Sequence, residues 1–389
     1  MQSCRVSFKQ TQFFSIDNRE HEFRYRRVRV RAACRADLAG GWSDTPPFSL
    51  EKGGIVLNCA LELNGELPVL VAVEILDEPK LVLASEDLHV RKEVAHTSHI
   101  FDCRDPSDPL AIHKAALVIT GVIPYDLTST IADLFGKKGK GLSLTTRVDV
   151  PKGSGLGTSS ILAGAVIASL HCLMGRTVSE QEIFNQVLIL EQMLTTGGGW
   201  QDQVGGLTGG IKLVSSSPGV PQIITYEPVA LSSIVRKRFD EQFVIVFTGQ
   251  RRLAKRILRD IMGAYMLRKN DAVRSICELK QIALSMKEAL VDGDLALVGR
   301  LMNRHWELNK TIDPRCTNPL IDSIFRVCEP YVHGGKLCGA GGGGFMELIL
   351  KDGVISEQLN KVLGRAYPDS QVRVWPARIV ERALEIEKT

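Results

Sequence analysis

Between Val150 and Ser160 the chain reads VPKGSGLGTSS, with glycine at every second position, Gly153, Gly155 and Gly157. Two hydroxyl residues, Thr158 and Ser159, then head an apolar run from Ile161 to Met174 that stops at Gly175. The strand-like LSLTTRVDV precedes the loop, so the pattern predicts strand, glycine loop, helix. Glycines without a Cβ let backbone N–H groups come close to a phosphate, and the helix behind them begins with unpaired N–H groups and a partial positive charge. We read the loop as an anion site; the alternative is a tight strand-to-helix turn. Two other phosphate loops are excluded. No window supplies the P-loop pattern GxxxxGK[ST]. The one GxGxxG match, Gly339, Gly341 and Gly344, leads into strand-like FMELIL instead of a helix, so NAD binding is not expected.

At 389 residues the chain has room for two cores. A net charge of +4 is small for that length and gives no reason to expect nucleic acid or a membrane as partner; the basic stretch RYRRVRVR, Arg24 to Arg31, reads as a solvated strand edge. Nine scattered cysteines form no CxxC pair, which points to reduced thiols in a cytoplasmic protein and to neither zinc nor a disulfide framework. No apolar leader opens the chain and no apolar run reaches the length of a membrane span, so a soluble, unsecreted protein is expected.

Residues before Arg27 show no period and read as an extension, a first strand or the remnant of a longer chain. Alternating Val28 and Val30 predict a strand, and Gly40, Gly41, Pro46 and Pro47 then force an irregular loop expected to hold Arg35, Asp37, Trp42, Ser43 and Asp44 together. The Val- and Leu-rich runs from Gly54 to Ala84 read as strands of one sheet, and Pro109 to Val122 as a helix with His113 and Lys114 on its wet face. His89, His96 and His99 lack a completing ligand and read as surface residues. A second helix, capped by Thr177 or Ser179, carries Glu191 in its last turns and stops at Gly197 to Gly199. Asp202 follows, expected in a turn between that glycine cluster and Gly205–Gly206. A charged segment, Arg236 to Asp240, marks the expected domain boundary. Helices dominate from Leu253 to Asn309, and a glycine turn, CGAGGGGF, lies between two late strands before a helix and the strand VRVWPARI. The balance predicts two α+β domains.

In order along the chain, R-x-D-L-x-G-G-x-S-D, P-x-G-x-G-L-G-T-S, a glycine-rich D-Q and G-A-G-G-G-G resemble the motifs of the GHMP kinases, over a stretch from about Val28 to a C-terminal helix. Within that family AGGWSDTPP and GGGWQDQVGG look most like the L-fucose kinase unit. The resemblance implies an N-terminal domain like ribosomal protein S5 domain 2, residues 28–236 after an extension 1–27, and a ferredoxin-like C-terminal domain, 237–389. It implies an ATP- and Mg²⁺-dependent kinase that phosphorylates the anomeric hydroxyl of L-fucose for GDP-fucose salvage, in a branch where the kinase is often joined to a nucleotide-sugar pyrophosphorylase. Another sugar, such as galactose or D-glycero-D-manno-heptose 7-phosphate, and a sensor without catalysis are the alternatives. Galactokinases carry Gly-Glu-His-Thr-Asp where this chain has Gly40, Gly41, Trp42, Ser43 and Asp44, which speaks against galactose.

Carried over by position, the resemblance makes Asp202 the base or orienting anion and Arg35 the cation that keeps it ionised. Pro151, Lys152, Gly153, Ser154, Gly155, Leu156, Gly157, Thr158, Ser159 and Ser160 bind ATP. Ser159 and Glu191, which precedes Asp202 by eleven positions, hold Mg²⁺. Asp44, Trp42, Ser43, Gly199 and Trp200 form the sugar pocket, with either tryptophan packed on the sugar or in the core. The turn Gly339 to Gly344 supports the phosphate loop and has no direct chemistry.

Overall fold

A computed structural model describes residues 23–389 apart from 106, 125, 137–138, 252–260 and 264; residues 1–22 of the expected extension lie outside the described chain. In β1 (Arg27–Ala32) Val28 and Val30 are buried while Arg29 and Arg31 face water, the two-residue period of a strand with one wet face. β2 (Cys34–Ala39) is buried throughout and leads through a loop into the short helix α1 (Phe48–Lys52). The apolar runs that follow form β3 (Ile55–Leu63), β4 (Val69–Leu76) and β5 (Leu81–Ser85), with the charged β6 (Val90–Val94) behind them.

Next come α2 (Ser98–Phe101), α3 (Ala111–Ile119) and α4 (Ile131–Gly136), then β7 (Gly141–Val148), which delivers the glycine loop, and α5 (Thr158–Leu173). The two residues expected on the wet face of α3 are buried, His113 against β5 and β7 and Lys114 against the chain that leads into the helix. His113 Nε2 lies 3.0 Å from both the Ala84 carbonyl and the Thr146 hydroxyl, and Lys114 pairs with Asp108 at 2.6 Å. His89, His96 and His99 are exposed. α6 (Glu180–Met193) opens on a capping box in which Ser179 and Glu182 each accept the other's backbone N–H. α7 (Gln201–Leu207) and the paired strands β8 (Ile211–Ser216) and β9 (Ile224–Pro228) complete this part.

The charged segment expected at a boundary is part of a helix, α8 (Ser233–Gln242), capped by Ser232. β10 (Phe243–Phe247), α9 (Asn270–Asp292), α10 (Leu295–Ile312), α11 (Pro319–Cys328), β11 (Val332–Leu337), β12 (Phe345–Leu350) and α12 (Ser356–Ala366) follow. Helices α9 and α10 fill most of the segment read as helical, whose residues 253–260 lie outside the described chain. Pro376, which has no N–H for a ladder, divides the last expected strand into β13 (Arg373–Trp375) and β14 (Ala377–Ile379). The helix expected near the C-terminus is α12, and the final element is a strand, β15 (Leu384–Lys388).

Among the described residues the strands form three sheets. The six-stranded one runs β15-β1-β4-β7-β5-β6, antiparallel except for β5 with β7. The arginine-rich β1 is therefore interior to a sheet, not at its edge, and only its outward side chains reach solvent. The strands expected in one sheet divide, since β3 pairs with β2, β8 and β14 while β4 and β5 flank β7. The third sheet runs β11-β12-β10-β13. One core lies between the six-stranded sheet and α3, α5 and α6. A second joins β2 and β3 to β10, α9 and α10, so the two halves of the chain share it, and a third backs the last sheet with α11 and α12. Among the described residues no helix is long and apolar enough to cross a membrane.

Candidate active site

Gly153, Gly155 and Gly157 all have left-handed backbone, with φ of 71°, 78° and 73°. Steric demand explains two of them. A Cβ on Gly155 would overlap the Cys338 carbonyl oxygen, and one on Gly157 would lie 3.1 Å from both Arg35 and Asp202. The turn that follows β11 braces the loop from the far side: Phe345 N–H donates to the Ser154 carbonyl at 2.9 Å, and a side chain on Gly344 would strike that same carbonyl. Gly157 caps α5 with no side-chain acceptor, which leaves the amino end of this 16-residue helix open toward a cleft.

From the loop, Gly153, Ser154, Gly155, Gly157, Thr158 and Ser159 line the cleft. The other four residues assigned to ATP do not. Leu156 is fully buried in the shared core and offers only its carbonyl, which accepts the Arg35 N–H at 3.3 Å. Pro151 is half-buried and Lys152 exposed, both away from the cleft lining, and Ser160 turns inward onto Glu191. Gly339, Ala340, Gly341 and Gly343 also line the cleft, so backbone of the third glycine turn takes part in the site as well as bracing it.

Arg35 and Asp37 lie on β2, not in the loop after it. The buried Arg35 donates through Nε and Nη2 to one oxygen of Asp202, at 2.8 and 2.6 Å, and through Nη1 to the Gly155 carbonyl at 2.5 Å. Burial works against the guanidinium charge, but Asp202 and Asp37 outweigh it and hold Arg35 above its ordinary value. Asp202 is in the first turn of α7, where a helix amino end favours a carboxylate, and not in a turn. Gly205 serves close packing, since a Cβ there would meet Asn58 of β3 at 2.5 Å. Buried Lys212 ties down the other end of α7 by donating to the Thr208 carbonyl at 2.6 Å.

Asp44 faces the cleft from the loop after β2. One of its oxygens accepts the Gln201 N–H at 3.3 Å and the other has no partner. Burial above all, with Asp202 adding to it, pushes its carboxyl up to about 7. Gly199 sits so close that a Cβ would overlap the Asp44 carboxylate. Trp42, with φ of 75°, lines the cleft beside it. Two residues assigned to the sugar pocket are structural. The Ser43 hydroxyl is fully buried, 2.7 Å from the Gly40 carbonyl and accepting the Ile55 N–H at 3.1 Å, and so clamps the loop to β3. Trp200 is fully enclosed in the core under Gly54.

Glu191 is buried on α6 and its carboxylate meets two hydroxyls, Ser160 at 2.7 Å and Thr196. The hydroxyl it reaches is thus one residue along from Ser159, the one expected. Burial raises its carboxyl, the two hydroxyls oppose this and Asp202 adds to it, so Glu191 is electrostatically coupled to the cleft. Gly198 stands between them: a Cβ there would lie 3.4 Å from Glu191 Oε2, and Gly198 lines the cleft. Among the described residues no group of three or more His, Cys, Asp or Glu could hold a metal unaided.

Lys336, Glu347 and His305, which lie buried behind the cleft around Asp37, escaped the reading of the sequence. The available signal was a lone charge in each of two otherwise apolar or glycine-rich strands, VHGGKL and FMELIL.

Two family models match this chain, the GHMP kinases N terminal domain over residues 125–210 and the GHMP kinases C terminal domain over 286–369. The bifunctional fucokinase/GDP-fucose pyrophosphorylase of Arabidopsis thaliana is 38% identical over 92% of this chain and 33% of its own length. The L-fucokinase/L-fucose-1-P guanylyltransferase of Bacteroides fragilis is 35% identical over 92% of this chain and 38% of its own. The chain thus spans about a third of the length of these curated relatives. The crystal structure of a D-glycero-D-manno-heptose 1-phosphate kinase from Bacteroides thetaiotaomicron shares the fold, with a TM-score of 0.67 at 20% identity over 93% of this chain and 99% of that one. The chain thus carries both GHMP kinase domains in order, with the glycine loop lying inside the first.

Proposed function

We propose that this chain is an ATP-dependent sugar kinase that phosphorylates the anomeric hydroxyl of L-fucose to give fucose 1-phosphate. The observation that carries the reading is the Arg35–Asp202–Gly155 contact, an ionised pair held against a glycine loop at the open amino end of α5. Phosphoryl transfer asks little covalent chemistry of a protein; it asks for positioning and for charge placed where negative charge builds up. The loop N–H groups and the α5 terminus would hold the triphosphate. Asp202 would take or orient the proton of the sugar hydroxyl while its oxygen attacks the γ-phosphorus in line and ADP leaves. Arg35, bonded to a single Asp202 oxygen, would leave the other free for that hydroxyl.

The donor set near the loop consists of hard oxygens, Ser159 in the cleft and Glu191 behind Gly198, which fits Mg²⁺ when phosphate oxygens and water complete its shell. Bound there, Mg²⁺ would neutralise phosphate charge. The unpartnered Asp44 oxygen would accept from sugar hydroxyls, and Trp42 would lie against an apolar face of the ring. Both curated relatives are named for L-fucose kinase chemistry joined to a nucleotidyl-transfer activity, which supports fucose as substrate and a guanylyltransferase, fused or separate, as consumer of the product in the cytoplasm.

A coupled ADP-release assay with L-fucose, D-galactose, D-mannose and a heptose phosphate tests the reading. ADP release with fucose alone is expected. Release with a heptose phosphate and none with fucose would overturn the substrate, and no release with any sugar would overturn the activity.

A further inference from the structure

At the back wall of the cleft, which Asp37 lines beside Arg35, lies a cluster of charges to which the proposed chemistry assigns no part. Lys336 on β11 and Glu347 on β12 are register partners across the last sheet; both are fully buried and 2.5 Å apart. Lys336 Nζ also stands 3.7 Å from Asp37 Oδ2 on β2, which belongs to a different sheet. Gly41 N–H donates to the Asp37 carboxylate, and any side chain at Gly41 would overlap it, so the carboxylate packs directly on the backbone of the loop after β2. His305 of α10 closes the wall with Nε2 accepting the Gly40 N–H at 3.1 Å; burial pushes its imidazole down to about 3 and keeps it neutral.

Asp37 sits two residues beyond Arg35, on the same face of β2, and is the anion shared by Arg35 and Lys336. A buried ion chain is a costly way to hold two sheets together, and apolar residues of similar volume serve as well or better. Packing alone therefore does not account for it. What the chain of charges does supply is direction: Glu347 pairs with Lys336, Lys336 stands 3.7 Å from Asp37, and Asp37, two residues from Arg35 on the same strand face, acts on the guanidinium through its charge.

We propose that Asp37, locked to the last sheet through Lys336 and Glu347, is a positioning residue that sets the Arg35 guanidinium between Asp202 and Gly155, so that the reacting pair is in register only when the two halves of the chain are docked. This rests on the reading of Arg35 and Asp202 given above. Without the shared anion, Arg35 keeps only the Asp202 carboxylate and Lys336 only that of Glu347, the charge between the two cations is gone, and the guanidinium shifts away from its place.

The test compares steady-state kinetics with ATP and L-fucose for wild type, Asp37→Asn, the double variant Asp37→Asn/Lys336→Met and Asp202→Asn, each checked for folding by circular dichroism and thermal melting. Asp37→Asn is isosteric and is expected to lower kcat about 100-fold with both KM values within about threefold of wild type. Removing the lysine as well takes away the repulsion, so the double variant is expected to regain about tenfold in kcat. A role confined to stability would lower the melting temperature, leave kcat per folded molecule unchanged and give no recovery in the double variant. A kcat for folded Asp37→Asn within about threefold of wild type overturns the proposal, as does a double variant no faster than the single one. If Asp37→Asn does not fold, the double variant decides alone: a kcat about tenfold down at unchanged KM supports the proposal, and one within about threefold of wild type overturns it. Undiminished turnover in Asp202→Asn would instead remove the reading of the site on which the proposal rests.

Discussion

Asp44→Asn should make the free protein more stable above neutral pH while impairing its use of sugar. The carboxyl is buried with one oxygen unpartnered, and its value stands at about 7 against an ordinary 3.8. Between those two values the folded protein binds a proton that the unfolded chain has released, so the stability contributed by this group falls as pH rises through that window. At about 1.4 kcal/mol per pH unit, the move from 3.8 to about 7 costs the folded state about 4 kcal/mol at pH 8. Asparagine removes the charge, keeps an acceptor for the Gln201 N–H and brings amide donors toward the negative wall made by Asp202. A gain of about 2–4 kcal/mol at pH 8 is expected, shrinking by about 2.5 kcal/mol at pH 5, where most wild-type molecules already carry the proton. Glu347, also raised to about 7, titrates in the same window but does so in both proteins and cancels in the difference. Urea melts of the two proteins at both pH values measure this, and the same variant should show a fucose KM at least about tenfold higher through loss of a charged acceptor. A stability difference equal at pH 5 and pH 8, or a variant less stable than wild type at pH 8, would refute the argument that Asp44 is an uncompensated buried charge.

Gly155→Ala combines a φ of 78° with a Cβ that overlaps the Cys338 carbonyl, so about 1–2 kcal/mol of backbone strain adds to a clash that must displace the loop; an ATP KM raised at least about tenfold is the expected readout. Gly199→Ala would drive a methyl into the Asp44 carboxylate, and calorimetric titration should find fucose binding lost while ADP binding persists. Ser159→Ala and Ser160→Ala should separate: the first removes a cleft hydroxyl and should raise the Mg²⁺ concentration needed for half-maximal rate, whereas the second deprives the buried Glu191 of a donor and should lower stability by about 1–3 kcal/mol in a thermal melt.

What was legible in the sequence was local. The glycine loop, its flanking strand and helix, and the Ser179 cap are written in residues a few positions apart, because left-handed backbone and helix ends impose requirements on single positions. Burial was harder to read. His113 and Lys114 look like a wet face until Ala84, Thr146 and Asp108, none of them a neighbour within the helix, are seen to satisfy them. The same holds for sheet membership: β3 and β4 have similar composition, and only their partners, β2, β8 and β14 for one and β1 and β7 for the other, assign them to different sheets. The last strand, Leu384–Lys388, alternates Leu and Ile with Glu and Lys but is short and carries no turn signal of its own, so the sequence alone assigns it no element and only its pairing with β1 fixes it as a strand.

Within the site, the residues read correctly as neighbours are those whose partner is a glycine or a backbone group. Gly157 is where Arg35 and Asp202 meet, and Gly199 is what lets Asp44 approach α7. Side chains whose partners are other side chains, far off in sequence, left no such mark. Nothing local says that the hydroxyl for Glu191 is that of Ser160 instead of Ser159, because the choice depends on how α5 is rotated against α6. Nothing local tells Ser43 as a clamp from Ser43 as a ligand, because its acceptors are carbonyls three and twelve residues away. The buried charges are the extreme case. A lysine and a glutamate inside two strands read as outward-facing positions of a half-wet sheet, and the pattern turns over only when α10 covers one side of that sheet and β2 brings Asp37 to within 3.7 Å. A carboxylate and an ammonium withdrawn from water must each find a partner, so the position of one half of the chain against the other is encoded in charges that, taken in either half alone, look like solvated surface.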